Sequence, residues 1–551
     1  MKHPITGGEA MVLAAKANGI DRIFGIPGAQ IYPLFDALKR HNIETIVPRH
    51  EQGAAYMAMG AARSTGKPTA FSVVPGPGVL NTVAALCTAM GTCTPVLCLT
   101  GQIPSTFLGK GRGHLHELAD QSGTLKTIIK DAVRIDHPEQ TSTVMNRAFR
   151  TLGSHRPGPV SVEMCWDTMA KPWDVEIAAG NTTLDKPTLE VDQLKAAAKA
   201  IAAARNPMIF CGSGALDAGP KVQALAELLQ CPVTAFRSGR GVVSEDHPLG
   251  IAAVAARLLW DDCDLVIGIG TRLEMPYMRW SSMEQYRERP NDGRTLIRID
   301  ISSEEMQRFI PDVGVVADAA EACAALVNEL ENKVTRCKDR VFEIAAAKTQ
   351  SLELVQKIQP QMGYLNVIRE LLPRDGFFVP ELSQVGFASW YGFPVYKART
   401  FVNEGYQGTL GFGFSTALGV KVANPDKAVI SVNGDGGFMF GLQELATAAA
   451  HNIGLITLVF NNQAYGNVHR DQLQGFDGRL IASELKNPDF VKVAESFAVK
   501  GVRVSSPEAL KPVLAKAIDD NRPILIEVMQ ETGSEASPWE FIHMRQSPLS
   551  P

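Results

Sequence analysis

Ala428-Val-Ile-Ser-Val-Asn433 runs into Gly434-Asp435-Gly436-Gly437, and a second apolar run, Leu455-Ile-Thr-Leu-Val-Phe460, ends in Asn461-Asn462-Gln463-Ala464-Tyr465-Gly466, with 24 residues intervening between Gly436 and Asn461. Unbroken apolar runs of this length, rich in Val and Ile and closed by turn residues, read as parallel strands buried on both faces. Two such strands deliver an acid and an amide to one edge of a sheet. Open α/β folds take their ligands at that edge.

The residue types at this edge suit a metal and a phosphate. A hard divalent cation such as Mg2+ seeks oxygen ligands, and Asp435, the side-chain carbonyl of Asn462 and a backbone carbonyl near Ala464 supply three. Gly434, Gly436 and Gly437 lack Cβ atoms, so the backbone there can approach a diphosphate and point N–H groups at it. Phe438 to Ala450 reads as one helix whose N-terminus adds partial positive charge, and Tyr465, Gly466 and Asn467 are placed to cap phosphates. An Asp-Gly turn or an Asn-Asn loop alone would be unremarkable. The pair at this spacing carries the reading.

The rest of the chain sets bounds. Its 551 residues, 45% apolar and 20% charged, suffice for several domains, each with its own core. A formal net charge of −4 gives no case for nucleic acid or an anionic membrane surface as partner. The nine cysteines are scattered without a Cys-x-x-Cys pair, and neither a long apolar leader nor a membrane-length apolar run stands out, which predicts a cytoplasmic protein with free thiols.

Strand-like and helical segments alternate throughout, predicting an α/β fold of three doubly wound parallel-sheet domains. The expected boundaries are 1–170, 190–330 and 360–531, with a polar linker over 167–192 and a C-terminal tail from 532 to 551. Within the second domain, Gly212-Ser-Gly214 looks like part of a dinucleotide fingerprint but lacks the third glycine, so a nicotinamide reading is weak.

The paired Gly-Asp-Gly and Asn-Asn signature resembles that of thiamin-diphosphate-dependent enzymes. Phe24-Gly-Ile-Pro27-Gly28-Ala29, Arg49-His50-Glu51-Gln52-Gly53, Pro75-Gly-Pro-Gly78 and Gly408-Thr-Leu410-Gly-Phe-Gly413 extend the resemblance to the acetolactate synthase-like branch of the 2-oxo acid decarboxylase superfamily. It implies pyrimidine-binding, central Rossmann-like and diphosphate-binding domains, with thiamin diphosphate and Mg2+ as cofactors. It implies that Glu51 is the acid meeting the pyrimidine ring and that Leu410 wedges the cofactor into a bent shape. Pro27, Gly408 and Ser383 are the further cofactor contacts expected. Because Glu51 and Asp435 lie in different domains, the family's arrangement places each site between two subunits of a homodimer or homotetramer.

Substrate specificity lies in short loops rather than in the cofactor frame. His116 falls where pyruvate decarboxylases carry a histidine and acetolactate synthases a glutamine, so a proton-relay role is expected, with His114 as fallback. Ala29, Gln30, Phe107 and Trp390 are candidate pocket residues, each with ordinary packing as the alternative. Gly250-Ile-Ala-Ala-Val-Ala-Ala256 lacks the His-Gly-Thr run of flavin-containing acetolactate synthases, so FAD is not expected.

The function implied is decarboxylation of a 2-oxo acid, pyruvate first among them, followed by ligation to a second carbonyl compound. The alternatives are a non-ligating decarboxylase, an acyloin or diketone lyase, and a non-catalytic cofactor-binding subunit.

Overall fold

The chain is described by a computed structural model covering residues 3–180, 183–280, 288, 290, 292–331 and 340–544. It forms three parallel-sheet α/β domains, as the alternation of elements predicts. The first sheet runs in the order Glu44–Ile46, Arg22–Gly25, Thr69–Val73, Val96–Gln102, Val160–Cys165, Asp131–Ile135. The second runs Gly250–Ile251, Val233–Ala235, Pro207–Cys211, Leu265–Ile269, Thr295–Asp300, Val313–Val316. The third runs Phe377–Pro380, Val429–Gly434, Ile456–Asn461, Ile524–Met529, Lys500–Val504. Every strand pairing within these three sheets is parallel.

Two segments depart from expectation. The stretch read as a linker over 167–192 contains the strand Pro172–Val175, which pairs antiparallel with His3–Thr6. The distant strand His3–Thr6 supplies the partner, and the polar composition of 167–192 does not reveal it. The helix expected from Phe438 to Ala450 is broken instead: a single turn, Asp435–Phe438, precedes a 3-10 turn at Leu442–Glu444 and a helix at Leu445–Ala450. Gly436 and Gly437 lie within a single helical turn, so the helix-dipole contribution expected there is small.

The first and third domains share one hydrophobic core. Phe24, Met57 and Phe71 from the first domain and Phe412, Phe414, Phe438 and Leu445 from the third belong to it. Its centre is the helix Glu51–Thr65, rich in Gly and Ala, lying against the helix Gly413–Ala423. A Cβ at Gly60 would collide with the carbonyl of Thr416, and one at Gly419 with that of Met57. Small residues thus allow the two backbones to touch, and burying each large apolar side chain in this core contributes roughly 1.5–3 kcal/mol. The contact also fixes where the N-terminus of the Glu51 helix lies relative to the third sheet. No helix among the described residues is long and apolar enough to cross a membrane.

Candidate active site

Val429–Gly434 and Ile456–Asn461 are adjacent, with Gly434 opposite Phe460. Asp435 and Asn462 therefore leave the sheet at the same edge. Asp435 is buried; its Oδ2 accepts from the backbone N–H of Gln463 at 2.8 Å and from the Asn487 amide at 2.7 Å, while its Oδ1 accepts from the N–H of Gly436 at 2.8 Å. Desolvation raises the Asp435 carboxyl above the usual carboxylate range, against these donors, which favour the charged form. Asn462 accepts from the N–H of Ala464 at 3.1 Å.

The glycines of this edge are used for close approach. A Cβ on Gly436 would overlap the Tyr465 ring, and one on Gly434 would meet Ser383 Cβ at 3.3 Å. Ser383 caps the helix Gln384–Gly392, accepting from the N–H of Gly386 at 3.0 Å. Tyr465 precedes the helix Gly466–Gly475, in whose first turn Asn467 lies.

Leu410 sits on a loop held by two left-handed glycines, Gly408 at φ 57° and Gly411 at φ 86°. Beside it, Glu381 is buried and accepts from the backbone N–H of Gly411, while its carboxylate fills the space that a Cβ on Gly437 would need. One carboxyl group thus lies between the Leu410 loop and the Gly-Asp-Gly-Gly turn. Burial pushes it up to about 8, and the buried Glu404 nearby pushes in the same direction.

Glu51 is the first residue of its helix, capped by the His50 side chain, and it accepts from the Asn81 amide at 3.0 Å. Glu444 of the third domain holds the chain just before it. Its carboxylate accepts from the N–H of Arg49 at 3.0 and 3.1 Å, from that of His50 at 3.0 Å and from the Thr447 hydroxyl at 2.6 Å.

At the same edge of the first sheet, His116 and Gln30 come together. His116 Nδ1 lies 2.9 Å from Gln30 Oε1, and the Gln30 amide donates to the carbonyl of Leu115 at 3.1 Å. His116 has φ 65°, and its carbonyl occupies the room that a side chain on Gly76 would take. His114 packs on Phe107 with ring centroids 4.9 Å apart, and its Nδ1 is buried without a hydrogen-bond partner among the described residues. Pro27 and Ala29 flank Gly28 in the turn leading into Gln30. Trp390 stands apart from this group, buried edge-on to Phe236 and Phe387 with the Arg237 guanidinium 5.1 Å from its ring centre.

Comparison with known proteins decides the family. The description "Thiamine pyrophosphate enzyme, N-terminal TPP binding domain" matches residues 5–124, the central domain of the same enzymes matches 194–326, and their C-terminal TPP binding domain matches 383–528. The chain belongs to the thiamine pyrophosphate enzymes. Within them it falls in the acetolactate synthase-like branch. It is 32% identical to the "Probable acetolactate synthase large subunit" of Methanocaldococcus jannaschii over 95% of this chain and 91% of that one. It is 32% identical to the "Probable 2-ketoarginine decarboxylase AruI" of Pseudomonas aeruginosa over 92% and 90%, and 28% identical to "Acetolactate synthase isozyme 1 large subunit" of Escherichia coli over 97% and 95%.

The donor set of this thiamine pyrophosphate enzyme fits the cofactor its family binds: a buried carboxylate and an amide oxygen at adjacent strand ends for a cation, and a glycine turn too tight for side chains beside them. The structure adds Glu381, Glu444 and Asn487, which sequence reasoning did not single out as site residues. Their sequence signals are faint, because a Glu in a strand-end loop or a helical turn, or an Asn in a polar stretch, is ordinary.

The C-terminal tail of the enzyme lies across the edge bearing Asp435 and Asn462, although residues 545–551 fall outside the described part. The Thr532 hydroxyl donates to the carbonyl of Asn462 at 2.6 Å, and the Asn462 amide donates to Glu535 at 2.7 Å. Trp539 Nε1 donates to Asn467 at 2.5 Å, and Arg470 donates to Ser537 at 2.9 Å. Desolvation pushes the Glu535 carboxyl up to about 7, and the nearby charge of Asp435 adds to the shift.

Proposed function

We propose that this enzyme decarboxylates a 2-oxo acid, pyruvate first among them, and joins the acyl unit to a second carbonyl compound. The observation that carries the reading is the meeting of Asp435 and Asn462 at one sheet edge beside the Gly434–Gly437 turn, in a chain matched along three domains by thiamine pyrophosphate enzymes. Asp435, Asn462 and the carbonyl of Ala464 would hold Mg2+, and Gly436, Gly437, Tyr465 and Gly466 would border the diphosphate. When bound, thiamin diphosphate supplies an electron sink for carbon–carbon bond cleavage. Glu51 would hold or yield a proton at its carboxylate, Leu410 would contact the ring from its glycine-flanked loop, and the buried core behind both would keep water out. His116, oriented by Gln30, carries a proton to or from the product.

The active species proposed is a homodimer or homotetramer in the cytoplasm, with Glu51 of one subunit serving Asp435 of another. Gel filtration of an active monomer would refute that part. A non-ligating decarboxylase is the second reading, supported by the identity to a 2-ketoarginine decarboxylase, which equals that to an acetolactate synthase subunit. Incubation with thiamin diphosphate, Mg2+ and a panel of 2-oxo acids separates the readings. Carbon dioxide together with a ligation product supports the proposal, carbon dioxide with aldehyde alone supports the second reading, and neither rejects both.

A further inference from the structure

Asn462 is gripped from both sides. Its Oδ1 accepts from the N–H of Ala464 at 3.1 Å, and its Nδ2 donates to Glu535 Oε2 at 2.7 Å, 73 residues along the chain. An amide nitrogen can only donate and an amide oxygen can only accept, so the two neighbours agree on which way the group points. The amide oxygen has two acceptor sites, and Ala464 uses one. The other remains available for the cation of the proposed function, whose second protein ligand would be Asp435 at the end of the adjacent strand. Were the amide to turn over, Nδ2 would face the N–H of Ala464 and any cation, and both contacts would be repulsive.

Glu535 is itself held in place. Thr532 anchors the tail to the backbone of the same asparagine at 2.6 Å, the N–H of Ala536 donates to the carbonyl of Gln359 at 2.9 Å, and Gln361 donates back to the carbonyl of Ala536 at 2.6 Å. Further along, Trp539 lies on Phe387 with ring centroids 5.7 Å apart. These contacts place the carboxylate by the tail's own packing, so it can act as a fixed acceptor.

We infer that Glu535 is a positioning residue for the metal site, orienting the Asn462 amide so that its oxygen faces the cation, and that the C-terminal tail is thereby part of that site. The inference rests on the thiamin diphosphate and Mg2+ reading given above. Partners that orient metal ligands are worth about 10–100-fold in metal affinity.

The test is equilibrium dialysis of thiamin diphosphate against Mg2+ titrations, with wild type, Glu535→Ala and Glu535→Gln, each first shown by circular dichroism to be folded. Glutamine retains a carbonyl that accepts from Asn462, whereas alanine removes the acceptor. The expected result is an increase of about 10–100-fold in the Mg2+ concentration for half-saturation with Glu535→Ala, and recovery to near wild type with Glu535→Gln. Tighter binding by Glu535→Ala would show that the carboxylate obstructs the site, and would overturn the inference. Equal loss in both variants would show that its charge and not its acceptor matters, and unchanged affinity in both would show no role; either result overturns it. Failure of the wild type itself to bind thiamin diphosphate with Mg2+ would instead reject the proposed function on which the inference stands.

Discussion

Glu444 and His50 lie 394 residues apart, yet the Glu444 carboxylate accepts the backbone N–H of His50 at 3.0 Å, immediately before the helix that begins with Glu51. Gly53 faces the same carboxylate, where a Cβ would come within 2.6 Å of its oxygen. The third domain therefore sets the position of Glu51 in the first.

Replacing Glu444 by Ala leaves the part-buried N–H groups of Arg49 and His50 without their acceptor, a loss of roughly 1 kcal/mol. Chemical denaturation should show a lower midpoint, and turnover should fall with it as Glu51 loses its place. A variant with wild-type stability and turnover would show that the contact does not position the helix.

Glu51→Gln should abolish turnover while leaving thiamin diphosphate binding close to wild type, because glutamine fills the same space and can still pair with Asn81 but cannot exchange a proton. Product assays and dialysis, run on the same preparation, check the two halves separately. Undiminished turnover would remove Glu51 from its role.

Glu381 predicts a pH dependence of stability. Its folded-state value of about 8 lies above the ordinary 4.5, so between those limits the folded protein holds a proton that the unfolded chain has released. Stability should then fall as pH rises through that window, and Glu404, pushed up to about 7 by burial, acts in the same sense. Glu381→Gln should flatten the slope. Denaturation midpoints measured between pH 5 and 8, on the order of that window, would reveal an unchanged slope if the carboxyl is ionised throughout.

The purified protein should carry no flavin, since the stretch Gly250–Ala256 lacks the His-Gly-Thr run of flavin-containing relatives. An absorption spectrum after desalting is the check. A persistent flavin band would reverse this expectation.

Much of the frame was readable in the chain. The runs Ala428–Asn433 and Leu455–Phe460 anticipate strands Val429–Gly434 and Ile456–Asn461 to within a residue, because an unbroken apolar run closed by glycine or asparagine has little choice but a buried strand. The edge bearing Asp435 and Asn462 follows from two such strands being parallel neighbours. The small residues after Glu51 likewise anticipate a tightly packed helix.

Those local patterns, with the residue types at the ends of the strands, are what the chain of amino acids settled unaided: an α/β frame and an edge suited to metal and phosphate. Folding alone decided that Glu381 would sit between the Leu410 loop and Gly437, that Glu444 would hold the start of the Glu51 helix, and that Glu535 would meet Asn462. Each of these joins groups 30, 394 and 73 positions apart, respectively. Periodicity and turn chemistry act over a few residues, whereas a buried carboxylate finds its donors only after separate elements have packed, so no short stretch of sequence encodes the pairing.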